Sequence, residues 1–473
     1  MVEIKKIRKN SYKIEKTGKM NVPVIIYASQ KLLEKMKLDS SLEQAQNMAS
    51  LPGVLKQVIV LPDAHEGYGA CIGGVAAHDL KEGVISPGEI GFDVNCGIRL
   101  LRTNLKKGDI YPKVKELLDE ISRCVPAGVG RSNISISQKE LDKVLEEGAW
   151  WAVRNGYGTK EDLEFCEENG KMKSADSSLV STDAKKRGHN QLGTLGSGNH
   201  FLEIQYVDKI FDEETAKAFG LEEGQVTVII HCGSRGLGHQ VCSDYLREME
   251  KAFPEIVAKL PDRDLIYAPA SHYLSKRYFA AMSAAANFAW CNRHVIGHQT
   301  RNAFLSIFKE AKLETVYDLA HNICKLEEHK IDGEMRKVYM HRKGATRSFG
   351  PGNEEIPKKY KKVGQPILLP GSMGTASYVL VGTNESEDIS FSSTAHGAGR
   401  AMSRHEALRR YNAEDLRKEL EAKKIYIKSA SKRGIAEEAP GAYKDIEQVV
   451  GVSDDLGIGK KVARLRPIGV VKG

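Results

Sequence analysis

"PILLPGSMGTASYVLVGT", residues 366–383, reads as an apolar strand, a glycine turn and a second apolar strand. No helix separates the two strands, as a parallel crossover would require. The rest of the chain has the same character. "VPVIIYA" (22–28) and "LKQVIVLPD" (55–63) read as buried strands, with helical "SQKLLEKMKL" (29–38) between them. "KVKELLDEISRCV" (113–125), "KELDKVLEEGAWWAV" (139–153) and "AEDLRKELEAKK" (413–424) carry helical periodicity. "QVTVIIHCGS" (225–234) reads as a buried strand ending in a turn. Residues 277–308, rich in small side chains, read as one or two long helices. Strands and helices mix without a regular βαβ rhythm, so the expected class is α+β.

Length and composition leave the function open. The 473 residues permit two or three domains, at about 150 residues each, yet no linker or repeat divides them. A net charge of +8, from 70 basic and 62 acidic residues, permits a nucleic-acid partner without demanding one. None of the eight cysteines forms a C-x-x-C pair, so no zinc ribbon or thioredoxin motif is expected. The charged start "MVEIKKIRKNSYKIEK" is unlike a signal peptide. No apolar run reaches the roughly 18 residues of a membrane span. A reducing cytoplasm is the expected location, with no membrane partner.

The 44 glycines are more informative. Many cluster beside His, Asp, Ser or Asn, in "DAHEGYGACIGG", "GTLGSGNHF", "HCGSRGLGH", "LPGSMGTAS" and "TAHGAGR". Five such clusters suggest ligands and backbone amides converging on one polar site. The candidate ligands are Asp93 and Cys96 in "GFDVNCGIRLLRT", His200, His231, His321 and His396. Carboxylate, thiolate and imidazole together suit a divalent metal, and a thiolate can bridge two. Each residue also has a plainer reading. Cys96 could be a small buried hydrophobe and Asp93 a turn cap. His231 could be a satisfied buried histidine at the end of a strand. His321 lies at helical spacing from Val316, Leu319 and Ile323, as a half-buried core histidine would. His200 and His396 are flanked by small residues that would not block a ligand. The other histidines, including His239 and His294, take the plainer reading. "LPGSMGTAS" resembles a phosphate-cradling loop but lacks the Gly-Lys-Ser/Thr of a Walker A motif; alone it reads as a strand-to-strand turn.

As an ordered set the motifs are specific. "GEIGFDVNCGIRLLRT", "GTLGSGNHFLEIQ", "HCGSRGLGHQ", "LPGSMGTASYVLVG", "STAHGAGRAMSR" and "RLRPIGVVKG" resemble the RtcB family of RNA-splicing ligases. "LPDAHEGYGACIGGVAA" resembles the segment before that family's first metal motif, and the likeness runs from about residue 20 to the end. The resemblance implies a single large mixed α/β catalytic domain over residues 1–473. It implies an enzyme that uses GTP and two Mn²⁺ to join an RNA 2′,3′-cyclic phosphate or 3′-phosphate to a 5′-hydroxyl. tRNA halves or broken RNA ends would be its partners, with an archease-type activator possible.

By matching motif, Asp93, Cys96 and His200 would hold one ion. Cys96, His231 and His321 would hold the other. His396 would take GMP. The guanylate site would be lined by Asn199, His200, Phe201, Leu202, Glu203, His321, Asn322, Pro370, Gly371, Ser372, Met373, Ser377, His396, Gly397, Ala398, Gly399 and Lys472. Ligand softness alone points to zinc, so manganese comes from the resemblance only. Arg187, His189, Arg235, Arg400 and Arg404 are candidate phosphate contacts or plain surface charge, as is "KKYKKVG" (358–364). A metal-dependent phosphoesterase and a non-catalytic RNA-binding protein are the rivals. Only 7% of residues are aromatic, which disfavours a base-stacking platform.

Overall fold

The computed structural model describes residues 3–128, 132–429 and 431–473. Two large sheets dominate it. The first has seven strands, in the order Lys5–Arg8, Ser11–Ile14, Val24–Tyr27, Val58–His65, Ile72–Asp79, Glu334–Lys343, Asn322–Ile331. The second has eight. Its main path runs Leu313–Ala320, Gly97–Lys106, Gln225–Cys232, Phe201–Ile210, Lys460–Lys472, Ser377–Val381, Pro366–Leu369, and Tyr426–Ser429 pairs with Lys460–Lys472.

Most pairings are antiparallel, which bears out the α+β class. Residues 366–383 form the expected hairpin, with Leu369 opposite Tyr378. Two parallel crossovers do occur, one of them between Tyr426–Ser429 and Lys460–Lys472 through the helices Lys432–Glu437 and Ile446–Leu456. Val24–Tyr27 and Val58–His65 pair in parallel, joined through the helices Gln30–Met36 and Ser41–Ala49. The segment 139–153 divides at Gly148 into two helices, Gln138–Glu147 and Ala149–Arg154. Gly148 has φ +58 and a Cβ there would meet the Gly170 carbonyl oxygen at 2.2 Å, so no side chain fits.

The small-residue stretch is one helix, Tyr273–Ile307. It is buried almost all round. Ala and Ser let it approach its neighbours closely, while its buried polar residues reach the strand ends. Arg293, fully buried, donates to the Asn95 and Cys232 carbonyls, both at 2.8 Å, and pairs with Asp318 at 2.8 Å. Asn292 accepts from the Gly193 amide at 2.7 Å and donates to the Gly233 carbonyl at 3.3 Å. This helix therefore ties together the loops that carry Cys96, His200 and His231.

One expectation is corrected here. His321 is not on a helix. It stands between the strands Leu313–Ala320 and Asn322–Ile331, at the corner where the chain passes from the eight-stranded sheet to the seven-stranded one. The spacing of Val316, Leu319 and Ile323 mimics a helix because Leu313–Ala320 is buried on two faces over most of its length and lacks clean alternation.

Candidate active site

Four of the candidate ligands gather at one end of the eight-stranded sheet. Cys96 directly precedes Gly97–Lys106, and His200 directly precedes Phe201–Ile210. His231 is next to last in Gln225–Cys232, and His321 directly follows Leu313–Ala320. The register aligns these ends: Gly97 pairs with Cys232 and Ala320, and Phe201 with His231. Antiparallel neighbours thus bring residues more than 200 positions apart to one edge. Asp93 comes from the loop before Cys96. Asn95, at φ +51, turns that loop back, a conformation asparagine tolerates. Gly97 must be glycine, since a Cβ there would meet the Leu319 carbonyl at 2.1 Å.

The side chains form two triads sharing Cys96. One is Asp93, Cys96 and His200, the other Cys96, His231 and His321; within each, the donor atoms lie within 4.8 Å of one another. Cys96 Sγ is 3.3 Å from His231 Nε2 and 3.5 Å from His200 Nε2, and the Nε2 atoms of His231 and His321 are 3.4 Å apart. His200 Nδ1 donates to the Leu195 carbonyl at 3.1 Å, which orients the ring so that Nε2 faces Asp93 Oδ2 at 2.8 Å. Burial disfavours the imidazolium, but Cys232, Asp93 and Cys96 around it hold His200 well above the usual histidine range, so the Nε2 proton bridges to Asp93 and a bound cation would take that proton's place.

The electrostatics agree with this reading. Burial would raise the Asp93 carboxyl, but His200 beside it outweighs burial and holds it at about 2. Burial and the Asp93 charge push the Cys96 thiol up to about 12. Burial and neighbouring imidazoles hold His231 and His321 well below the usual histidine range, so both rings are neutral, the form that ligates. A divalent cation would supply the positive charge that turns Cys96 into a thiolate. The donor set therefore fits two divalent ions bridged by sulfur.

His396 follows the short strand Ser393–Ala395 and lies over this centre. Its ring centroid is 4.9 Å from that of His321. Its Nδ1 is 2.6 Å from Asp63 Oδ2, and the same oxygen accepts the backbone N–H groups of His396 (2.8 Å) and Gly397 (3.3 Å). Asp63 is fully buried. Burial disfavours its charge, yet the His396 imidazole and amide hold its carboxyl below the usual range. Gly399 is at φ +70, where a Cβ would meet the Asp63 carbonyl at 2.1 Å, so the loop can close over Asp63 only with glycine there.

A cavity of about 440 Å³ opens beside these residues, the size of a nucleotide site. Asn199, Phe201, His321, Asn322, Pro370 to Met373, His396 to Gly399 and Lys472 line it, with Asp93, Cys96 and His231 at its floor. His200 sits in the first triad but is not part of the lining. Leu202, Glu203 and Ser377 are also outside it. Leu202 is core, and burial raises Glu203 to about 8. Ser377 Oγ accepts from the Gly371 amide at 3.2 Å and from Gln205 at 2.9 Å, bracing the glycine turn from behind.

Lys472 pairs with Phe201 at the end of Lys460–Lys472, and its ammonium donates to the Gly198 carbonyl at 2.7 Å. Of the candidate phosphate contacts, Arg400 and Arg404 line the cavity, both facing Glu438 at 3.1 and 3.5 Å; Arg187, His189 and Arg235 do not line it.

Sequence reading missed several residues here. Asp63 lies in "LPDAHEGYG", a flagged cluster, but nothing local marks it as the partner of a histidine 333 positions on. Lys343 also lines the cavity, its ammonium donating to the Ala70 and Gly88 carbonyls at 2.9 Å. His239, given a plain reading, stacks on Phe92 at 4.9 Å and faces the cavity. His294 is buried behind the sheet, 3.2 Å from Arg99, as its plain reading implies.

The model of the family described as tRNA-splicing ligase RtcB matches residues 44–473. A protein of Thermococcus kodakarensis named tRNA-splicing ligase RtcB is 55% identical, covering 100% of this chain and 99% of its own length. Proteins of the same name from Pyrobaculum aerophilum and Methanococcus maripaludis are 56% and 52% identical, over 96% and 99% of this chain and 95% and 99% of theirs. The chain belongs to the RtcB family.

Proposed function

We propose that this member of the RtcB family is an RNA ligase that joins a 3′-phosphate or 2′,3′-cyclic phosphate end to a 5′-hydroxyl end, using GTP, in tRNA splicing or RNA repair. Its relatives carry the name tRNA-splicing ligase. The observation that carries the finer reading is the position of His396. A histidine held by a buried carboxylate, at the mouth of a nucleotide-sized cavity and next to two overlapping metal triads, is placed to attack phosphorus.

Asp93, Cys96 and His200 would hold one divalent ion and Cys96, His231 and His321 the other; manganese is what resemblance to the family implies. Bound there, the ions would neutralise charge developing on phosphate oxygens.

The chain's own residues do the rest. Asp63 engages His396 Nδ1 and so leaves Nε2 as the nucleophilic atom. His396 attacks the α-phosphorus of GTP; a P–N bond forms and pyrophosphate leaves. Residues 370–373 and 397–399 would wall the guanylate, and Lys472 would close the site from the C-terminal strand. An RNA 3′-phosphate takes the GMP from His396, giving RNA-3′-pp-G. The 5′-hydroxyl of the second RNA attacks the 3′-phosphate of that end, and GMP leaves. Arg400 and Arg404, at the rim, are placed to meet RNA phosphates.

Incubation with α-labelled GTP and Mn²⁺ tests the reading. The denatured chain should retain label. A chain that never takes label yet removes phosphate from RNA ends would be a phosphoesterase instead.

A further inference from the structure

Behind the active site lies a third cluster of ligand-type side chains. His78, Glu89 and His341 share no residue with the two triads, and their donor atoms also lie within 4.8 Å of one another. All three are fully buried. His78 and His341 come from adjacent strands, Ile72–Asp79 and Glu334–Lys343, in which His78 pairs with Tyr339 and His341 with Ala76. Glu89 ends the short helix Pro87–Glu89, four residues before Asp93.

The cluster is unsatisfied as it stands. His78 Nε2 and Glu89 Oε2 pair at 2.9 Å, while His78 Nδ1 and Glu89 Oε1 have no hydrogen-bond partner. Leaving one buried polar group without a partner costs about 1–3 kcal/mol, and more for a charged one. His78 Nδ1 and Glu89 Oε1 are two such groups beside one buried pair, a concentration that packing explains poorly. His341 is already oriented. Its Nδ1 lies 3.3 Å from the Tyr339 carbonyl, leaving Nε2 as the acceptor, which takes only a long contact from the Ser86 amide at 3.4 Å; burial pushes its pKa down to about 4, so the ring is neutral. This is the tautomer-fixing arrangement of metal-ligating histidines.

We propose that His78, Glu89 and His341 form a structural divalent-metal site of the zinc type, separate from the catalytic pair. Two imidazoles and a carboxylate suit zinc, which would take the place of the proton between His78 Nε2 and Glu89 Oε2. All three side chains are fully buried, so the ion enters as the chain folds. Its role is positional. It fastens two strands of the seven-stranded sheet to the segment that runs directly into the Asp93–Cys96 loop.

The test is zinc content and anomalous diffraction of the full chain. After dialysis against a chelator that empties the open catalytic centre, the protein should keep one zinc ion per chain. Crystals of that protein should show a zinc-edge anomalous peak among His78, Glu89 and His341. Glu89→Gln and His341→Gln should each lose the ion, and Cys96→Ser should keep it. A wild-type chain that retains no ion and shows no peak at these residues overturns the proposal, whether or not the variants fold. So does a retained ion that disappears in Cys96→Ser and survives Glu89→Gln.

Discussion

Asp63 Oδ2 lies 2.6 Å from His396 Nδ1 while accepting the backbone N–H groups of His396 and Gly397. One buried oxygen thus fixes both the ring and the main chain of the proposed nucleophile. Asp63→Asn preserves shape but presents no charge to the imidazole. Guanylylation should slow by about 10²-fold or more, the usual contribution of a positioned acid–base partner. Metal content should be unchanged. The rate at which the chain takes α-labelled GMP measures this, and a rate within twofold of wild type would remove the role given to Asp63.

The Cys96 thiol is held at about 12 without metal, so each bridged pair of ions must displace its proton. Metal affinity should therefore rise with pH and fall as pH drops, with proton release on binding. Isothermal titration in two buffers of different ionisation enthalpy detects the released proton. Cys96→Ser should lose this release, bind metal weakly and fail to ligate, with its fold intact by circular dichroism.

Arg293 is buried against Asp318 and two loop carbonyls. Arg293→Met strips those partners, and breaking such a buried pair costs about 3–5 kcal/mol. Arg99 also pairs with Asp318, at 2.7 Å, which places the loss at the lower end of that range. Denaturant unfolding should show the drop, and metal affinity should fall with it because the Asn95 carbonyl loses its anchor.

The parts of this site that the sequence announces are those whose chemistry is local. Asp93 and Cys96 are three apart and flanked by glycines, so their pairing is visible in one motif. The hairpin at 366–383 and the small-residue helix are equally plain, because each is set by its own periodicity and turn residues. His321 was misleading, since a doubly buried strand carries no alternation to separate it from a helix. Asp63, Arg293 and the His78–Glu89–His341 cluster were silent. Each acts across a fold contact between strands distant in the chain, and a single sequence holds no trace of register. The family likeness supplied what local patterns could not, namely which distant histidines converge.

Lys472 is buried, and its ammonium is held by the Gly198 carbonyl at the edge of the cavity. Removing residues 472 and 473, or Lys472→Ala, should raise the KM for GTP by about tenfold, the value of one charge-assisted hydrogen bond. Joining of RNA already carrying 3′-pp-G should change less. Steady-state kinetics on the two substrates separates these effects.

RNA binding led by phosphate contacts at Arg400 and Arg404 predicts a salt-dependent affinity, with a log–log slope near −0.7 per neutralised phosphate on single strands. Arg404→Ala, removing the more exposed of the two, should make the slope shallower by about that amount. Fluorescence anisotropy across a salt series reads it, and a flat response would remove the contact.

The central claim is that His396 carries GMP, and His396→Ala tests it most directly when offered two substrates. The variant keeps every assigned metal ligand, so its Mn²⁺ content should match wild type. With GTP and a 3′-phosphate end it should form no acid-labile guanylate adduct and join nothing. With RNA that already bears 3′-pp-G, it should retain part of the joining activity, because the attack of the 5′-hydroxyl does not use the imidazole as nucleophile. Label still appearing on the variant chain would contradict the account and place the nucleophile on another residue.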